Sequence, residues 1–486
     1  MRTAYSVETV RAAERELMAR LPDGALMQRA AAGLAAVCAK RLGRVSGSRV
    51  VLLVGPGDNG GDALYAGARL ARRGAGVWAV PMDPERMHPG GLAALRRAGG
   101  RIADRIPDRV DLVLDGLLGI GGRGGLREAA AALVDGVPAG VPVVAVDLPS
   151  GVDADTGELA GRAATAELTV TFGAYKPGLL IDPGASRAGE VRLVDIGLEL
   201  PGEPAVEALE DEDVRRLLPA PTAASDKYRR GVVGLVAGSA QYPGAAVLTV
   251  AGALRGGAGA VRYVGPAAEA VLARYPEVLI GEGRVQAWVL GPGLGSGPVR
   301  LPAGDVPLLI DADGLRGLTP EAVRARTAET LLTPHAGEAA ALLGVSRDEV
   351  ERGRLAAVRE LAERFGATVL LKGSTTLVCG PGGGAVRVNP TGTPWLATAG
   401  SGDVLSGLVG GLLAAGVGAR DAGAVGAYLH GLAGFAAAGF LGGRGRGGGG
   451  GGAAAGAPVT AYEVALAVPG VWRGLGGGGG AGALRG

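Results

Sequence analysis

The stretch from Ser48 to Val80, SRVVLLVGPGDNGGDALYAGARLARRGAGVWAV, constrains the fold more than any other part of the chain. An apolar β-branched run, VVLLV, leads into a glycine-rich turn, then a helical pattern, then a second apolar run, VWAV. A strand that is apolar at every position is buried on both faces. A strand–helix–strand unit of this length therefore implies parallel pairing with the helix packed on the sheet. Two more apolar runs, DLVLDGLLG and VPVVAVDLPSG, each end in an Asp followed by a loop. Parallel sheets bind ligands at the carboxyl ends of their strands, so acids placed there are candidate site residues. AELTVTFGAYKPGLL and GEVRLVDIGL read as further strands, and residues 6–42 read as two amphipathic helices.

The pattern stops at LPGEPAVEALEDED, which is rich in Pro and Glu and lacks periodicity, so the linker is expected near residues 200–210. It then restarts with GVVGLVAGS, and strand and helix signals alternate through GAVRYV, AWVLGPGLG, PLLIDADGL, TLLTPHAGE and ATVLLKGSTTLV. The reading is two α/β domains, residues 1–205 and 206–486: a Rossmann-like three-layer α/β/α domain and a second α/β domain with its own core. The glycine-rich segment 442–457 and the tail 475–486 cannot offset the entropy of ordering and are expected to be flexible. VTAYEVALAVPGVWRGL between them reads as one ordered helix.

Composition narrows the function classes. Aromatic residues make up 3% of the chain and the formal net charge is +2, so neither stacking platforms nor a basic surface points to nucleic acid or membrane. The start of the chain carries charges every few residues and no uninterrupted apolar run, so no signal peptide is expected. Val404 to Leu441 is apolar but broken by Arg420, Asp421 and His430, and reads as buried helices. Cys38 and Cys379 are far apart and read as small core residues, which fits a reducing, cytoplasmic setting.

Three strand-end loops form the first candidate site. Asp58, Asn59, Gly60, Gly61 and Asp62 stand between a strand and a helix, where close backbone N–H groups and the helix N-terminus suit a phosphate. Asp115 precedes a second glycine loop, Gly119, Ile120, Gly121, Gly122, Arg123, Gly124 and Gly125. Asp147 opens the third, through Ser150 to Asp153. The second candidate site is the stretch from Asn389 to Gly407. There Gly400-Ser401-Gly402 offers exposed N–H groups before a helix that starts at about Asp403, and the Asp403 carboxylate stands at the edge of that anion hole. His88 and His430 read as structural or surface residues.

These loops resemble those of the NAD(P)H-hydrate epimerase family. D-x-P-S-G matches in full, whereas Asp58, Ala63 and Ile120 depart from N-N-G-G-D-G and D-x-x-x-G-T-G. The resemblance implies that residues 58–62 and 119–125 hold a hydrated dinucleotide and that Asp147 acts in proton transfer. It also implies a potassium ion at Asn59, Asp115 and Ser150. The epimers would interconvert through ring opening or an iminium.

The second half resembles the ADP-dependent NAD(P)H-hydrate dehydratase branch of the ribokinase-like fold. The match runs through N-P-T-G and G-S-G-D-V-L-S-G, with Gly291 to Gly295, Asp311 to Leu315, Thr333 to Glu338 and Lys372 to Thr376 in order before them. Phe435 stands where that branch carries an Asp. The resemblance implies that Lys372, Gly373, Ser374, Thr375, Thr376 and Gly402 bind ADP phosphates, with Mg²⁺ on the nucleotide. Ala245, Gly293, His335 and Asp403 would face the hydrated nicotinamide. Asp403 would deprotonate the ring hydroxyl, which attacks the terminal phosphate of ADP; phosphate then leaves. The expected partners are NAD(P)HX and ADP, in a homo-oligomer. Two other readings stay open: a small-molecule kinase of the same fold, and a non-catalytic dinucleotide- or partner-binding N-terminal half.

Overall fold

A computed structural model describes residues 1–297, 299–302, 304–440 and 456–476. The described chain divides into a compact unit of residues 3–206 and another that holds residues 1–2, 207–440 and 456–476. Both are α/β units with largely parallel sheets. Among the described residues no helix is long and apolar enough to cross a membrane. Most of segment 442–457 and of the tail 475–486 lies outside the described residues. Of the remainder, Ala457 N–H bonds the Ala438 carbonyl at 3.0 Å and Leu475 and Gly476 close the last helix.

In the first unit the strands are β1 (Arg49–Val54), β2 (Gly76–Pro81), β3 (Arg101–Ile102), β4 (Leu112–Gly116), β5 (Val143–Val146), β6 (Leu168–Phe172) and β7 (Glu190–Val194). They lie in the order β3-β2-β1-β4-β5-β6-β7, and every pairing is parallel. This is the doubly wound arrangement, whose order reverses between β1 and β4. Register pairs Val54 with Gly116 and Asp115 with Ala145, so the ends of β1, β4 and β5 come level. Helix α1 (Val7–Met18) begins on a Ser6 cap, with Ser6 Oγ accepting from Thr9 N–H at 3.2 Å. Helix α2 (Ala25–Leu42) and α3 (Asp58–Arg72) pack small residues against the sheet.

In the second unit the strands are β8 (Val232–Val236), β9 (Ala260–Val264), β10 (Leu279–Ile280), β11 (Ala287–Leu290), β12 (Leu308–Ile310), β13 (Thr330–Leu332), β14 (Thr368–Leu371), β15 (Thr376–Cys379) and β16 (Val386–Asn389). Their order is β16-β15-β14-β13-β12-β11-β8-β9-β10. Only β14–β15 and β15–β16 among these are antiparallel, so ATVLLKGSTTLV is a hairpin and not one strand. The helices that matter for the site are α4 (Pro243–Arg255), α5 (Ala336–Leu343), α6 (Arg354–Phe365), α7 (Ser401–Ala414), α8 (Ala419–Ala437) and α9 (Ala461–Gly476).

The segment near 200–210 carries more structure than its composition suggests. Val206–Ala208 is a strand, and Asp211–Leu217 is a helix whose start is fixed by Asp213 Oδ2 accepting from Glu210 N–H at 3.0 Å. Glu207 meets Arg420 at 3.1 Å and Arg387 at 3.6 Å, a tertiary contact that periodicity does not reveal.

Helices α4 and α7 approach at backbone distance. A β-carbon on Gly252 would meet the Val404 carbonyl and lie 2.9 Å from Leu408 N, and one on Gly407 would meet the Thr249 carbonyl. Gly252→Ala is therefore expected to lower the stability of the second unit by about 1–3 kcal/mol through overpacking. Denaturant unfolding checks this, and an unchanged midpoint would contradict the close-packing account.

Candidate active sites

The first site is a cavity of about 450 Å³ at the level strand ends of the first unit. Asp58, Asn59, Asp62, Gly119, Ile120, Gly121, Gly122 and Asp147 line it, together with Arg11 and Glu14 from α1 and Met27 from α2. Arg123 lines an adjacent cavity, and Gly124 and Gly125 line neither. The expected loop at 58–62 is helical: Gly57 is the cap and Asp58 opens α3, so Asp62 is not a cap. Gly60 and Gly61 face inward, where a β-carbon on Gly60 would collide with the Gly55 carbonyl and one on Gly61 would lie 3.1 Å from His88. Their role here is close packing of α3, which sets the neighbouring side chains against the cavity.

Asp147 adopts a left-handed backbone, φ +65°, directly after β5. Such a conformation costs a non-glycine residue on the order of 1 kcal/mol and is held by its surroundings. Asp147 N–H bonds the Val170 carbonyl at 2.7 Å. Its Oδ1 accepts from Lys176 Nζ at 2.5 Å, Thr171 Oγ1 at 3.0 Å and Phe172 N–H at 3.2 Å. Lys176 is itself buried and also donates to the Phe172 carbonyl at 3.1 Å. All of these bonds fall on Oδ1, which leaves Oδ2 for a ligand.

The cavity gathers carboxylates. Burial, reinforced by Asp147, Asp58 and Glu14, pushes the acidity of Asp62 well above the ordinary carboxylate range, and its Oδ1 is buried without a partner. Burial also raises Glu14. Glu14 had a signal in the sequence that was not used: it lies one helical turn after the buried Val10 and so shares the inward face of α1. Asp115 lies behind the rim, fully buried. Its Oδ1 accepts from Ser150 Oγ at 2.6 Å and its Oδ2 from Ser150 N–H at 2.9 Å, while Ser150 Oγ accepts from Leu118 N–H at 2.9 Å. Burial raises Asp115 as well. The amide nitrogen of Asn59 is buried without a partner.

The second site lies at the ends of β12 and β14 and the start of α7. That helix begins at Ser401, two residues earlier than expected, behind Gly400 at φ +85°. Ser401, Gly402 and Asp403 thus form its first turn, where N–H groups have no partner within the helix and the dipole favours an anion. Burial, then Asp311, and more weakly Asp313, push Asp403 up to about 7, against the pull of Lys372. Asp311 accepts from Lys372 Nζ at 2.7 Å on Oδ1 and from Ser406 Oγ at 2.6 Å on Oδ2. Ala312, at φ +46°, turns the chain there so that Asp313 Oδ2 can accept from Gly295 N–H at 2.8 Å.

Lys372 therefore aims at Asp311, with Glu338 at 3.7 Å, and lies 3.6 Å from where a β-carbon on Gly402 would stand. The five residues from Lys372 to Thr376 are not equivalent. Gly373 and Ser374 are exposed, Thr375 is buried with its carbonyl accepting from Arg354 at 3.1 Å, and Thr376 Oγ1 bonds the Gly373 carbonyl at 3.4 Å. Ala245 and Gly293 adjoin, since a β-carbon on Gly293 would overlap that of Ala245.

His335 caps α5. Its Nδ1 accepts from Gly337 N–H at 3.0 Å and Glu338 N–H at 3.1 Å, leaving only an exposed Nε2 for a ligand. His430 is buried on α8, with Nε2 3.3 Å from Ser401 Oγ, and burial pushes it down to about 4. His88 caps a helix, accepting from Gly91 N–H at 3.0 Å. Phe435 packs edge-on to Phe440 at 5.3 Å.

Replacing Lys176 by Met leaves the buried Asp147 carboxylate unpaired. The first unit is expected to lose about 3–5 kcal/mol, and a second change, Asp147→Asn, to restore much of it. Hydrogen exchange of β6 reads this; equal exchange in the wild type and Lys176→Met would contradict the pairing.

Comparison with known proteins bears on both halves. Residues 233–439 match the family described as NAD(P)H-hydrate dehydratase, and residues 23–178 match the family described as YjeF-related protein N-terminus. The bifunctional NAD(P)H-hydrate repair enzyme of Mycobacterium leprae is 50% identical over 448 residues, covering 88% of this chain and 93% of that protein. The enzyme of the same name from Corynebacterium glutamicum is 37% identical over 508 residues, covering 85% of this chain and 87% of that protein. Among solved structures, the ADP/ATP-dependent NAD(P)H-hydrate dehydratase of Bacillus subtilis, co-crystallised with ATP and Mg²⁺, is 28% identical. It covers 56% of this chain and 99% of its own, with a TM-score of 0.47. Half the residues are shared with a relative matched along nearly its whole length, and both units are included in the match; the chain belongs to the family of bifunctional NAD(P)H-hydrate repair enzymes.

Proposed function

We propose that the first unit interconverts the R and S forms of hydrated NADH and NADPH, and that the second dehydrates the S form with ADP, releasing AMP and phosphate. The observation that carries this reading is Asp403, a carboxylate raised to about 7 in the first turn of a helix where the Gly402 and Asp403 N–H groups are open to a phosphoryl oxygen.

In the first cavity the clustered carboxylates Glu14, Asp58, Asp62 and Asp147 favour a cationic ring, which selects the iminium route. Asp62, whose proton is held by burial and like charge, gives it to the departing hydroxyl as the C6–O bond breaks. Water returns to the opposite face of C6 and passes its proton to Asp147 Oδ2, and solvent returns that proton to Asp62. Two carboxyl groups of different environment thus act as acid and base.

A potassium ion fits the oxygen donors at hand, the Asp115 carboxylate, the Ser150 hydroxyl and the Asn59 amide, which suit a hard cation. It would supply positive charge that holds the loops at 115–119 and 147–150 together at the rim of the first cavity.

In the second unit Asp403 takes the proton of the C6 hydroxyl, whose oxygen attacks the terminal phosphorus of ADP. The bond to AMP breaks, with the developing charge held at the amides of Gly402 and Asp403. Phosphate then leaves C6, a ring proton is lost, and the double bond returns. Mg²⁺ would come with the nucleotide and neutralise its phosphates. Lys372, anchored on Asp311, supplies fixed positive charge beside Gly402. A cytoplasmic homo-oligomer completes the reading, supported for location by two buried free cysteines.

Asp403→Asn is expected to abolish dehydration while sparing ADP binding and epimerisation; Asp147→Asn is expected to stop epimerisation alone. Recovery of near-ultraviolet absorbance from mixed hydrate epimers reads both, and turnover by the Asp403 variant would remove the base from the mechanism. Because the base must be ionised, wild-type dehydration rises with pH through about 7 and levels above it. The same shift has a stability consequence of opposite sign. A carboxyl whose folded pKa lies above its unfolded one contributes stability only below the unfolded value, and loses it as pH climbs through about 7. Asp403→Asn is therefore expected to be the more stable protein at pH 8, by on the order of 2 kcal/mol, with the gain absent near pH 4. Thermal unfolding at the two pH values tests it; no gain at pH 8 would mean the carboxylate is not held against its charge.

A further inference from the structure

Arg11 and the loop 120–122 line the cavity of Asp147, and they line a second cavity of about 430 Å³ on its other side. The second cavity adds Arg15 and Arg123 to its wall. The side chains of Arg11, Arg15 and Arg123 form no hydrogen bond or ion pair among the described residues. The acids on the same wall are Glu8, Asp153 and Asp155, of which two are already engaged: Asp153 Oδ1 accepts from Asp155 N–H and Thr156 N–H at 3.0 Å each, and Asp155 Oδ1 accepts from Val7 N–H at 2.7 Å. Arg11 and Arg15 are one turn apart on α1, so both project from one helix face, an arrangement that like charges disfavour unless an anion sits between them.

The two compartments thus differ in charge balance, the first the more acidic. The first sets Glu14, Asp58, Asp62 and Asp147 against Arg11 alone; the second sets the guanidinium groups of Arg11, Arg15 and Arg123 against Glu8, Asp153 and Asp155. A dinucleotide has the matching division, a ring that turns cationic at one end and phosphates beyond it. Guanidinium forks bind phosphate oxygens in pairs, with charge-assisted bonds.

We propose that Arg11 and Arg15 of α1, with Arg123 opposite, form the subsite for the phosphate groups of the dinucleotide during epimerisation, so that α1 is part of the substrate-binding surface. This rests on the epimerase reading of the first cavity. The phosphate has two sources, the bridging pyrophosphate, present in both cofactors, and the ribose phosphate ester found only in the NADPH form.

The test uses the full chain with Arg11→Met, Arg15→Met and the double variant, all at exposed positions. Epimerisation is measured with hydrated NADH and hydrated NADPH. The expected result is a KM raised about tenfold or more by each change, with kcat within about twofold, since the interaction lost is the same in ground and transition states. A rise for both hydrates assigns the pyrophosphate, and a rise confined to hydrated NADPH assigns the ribose ester. An unchanged KM for both hydrates, or a loss in kcat alone, overturns the proposal. A second measurement does not depend on turnover: hydrogen exchange of residues 7–18 with and without NADPH. Protection in the wild type that the double variant lacks supports the subsite even if the wild type fails to epimerise, which would instead defeat the reading of the first cavity. Exchange that NADPH leaves unaltered in the wild type overturns the subsite.

Discussion

The carbonyl of Gly55, just past the end of β1, occupies the space that a β-carbon on Gly60 would need, and α3 can leave the sheet edge so tightly only because that carbon is missing. The second unit repeats the constraint. The Val404 carbonyl fills the place of a Gly252 side chain, the Thr249 carbonyl that of Gly407, and the Asp311 carbonyl that of Gly291. Each approach puts a helix start or a strand end within a few ångströms of its neighbour. A chain with 91 glycines and 3% aromatic residues achieves its packing by shortening distances between backbones and not by filling gaps with large rings. Both sites depend on this, because short backbone distances are what bring carboxylates from separate loops onto one rim.

The electrostatics of the two sites are built differently on that common base. In the first, four carboxyl groups surround one cavity; burial and the neighbouring acids raise Asp62, while the Lys176 ammonium meets one oxygen of Asp147 and leaves the other open to the cavity. In the second, Lys372 stands among Asp311, Glu338 and Asp403; burial by itself would lower its pKa, but the surrounding carboxylates raise it. The balance leaves Asp403 near 7. Acidic groups held in this way work against folding, which the extensive apolar cores of each unit offset.

Some of this was legible before any coordinates. The central strands of both units were marked by apolar runs, and the acids that end them by position, because a strand buried on both faces cannot hide its composition and a parallel sheet presents its ligands at one end; the short strands Arg101–Ile102 and Leu279–Ile280 and the strand Val386–Asn389 carried no such mark. Helix starts were less legible. Asp58 and Ser401 open their helices earlier than the glycines around them suggest, since glycine's low helix propensity is overridden by the close packing it permits. The hairpin at 368–379 and the strand Val206–Ala208 were less legible still: the hairpin turns through residues 372–375 between two apolar runs that read as one, and Val206–Ala208 lies in a polar segment.

By itself the sequence determined the alternation of strand and helix and the strand-end acids Asp115, Asp147 and Asp311, because each is written in residues next to one another. Only the tertiary structure decided what those residues face. It turned Glu14 into the first cavity, paired Lys176 with Asp147, turned Lys372 toward Asp311, gave the ring nitrogen of His335 to a helix cap, and set two arginines of α1 beside the loop at 120–122. The reason is that pairing between side chains 29 or 61 positions apart is fixed by sheet order and register, which no local pattern encodes.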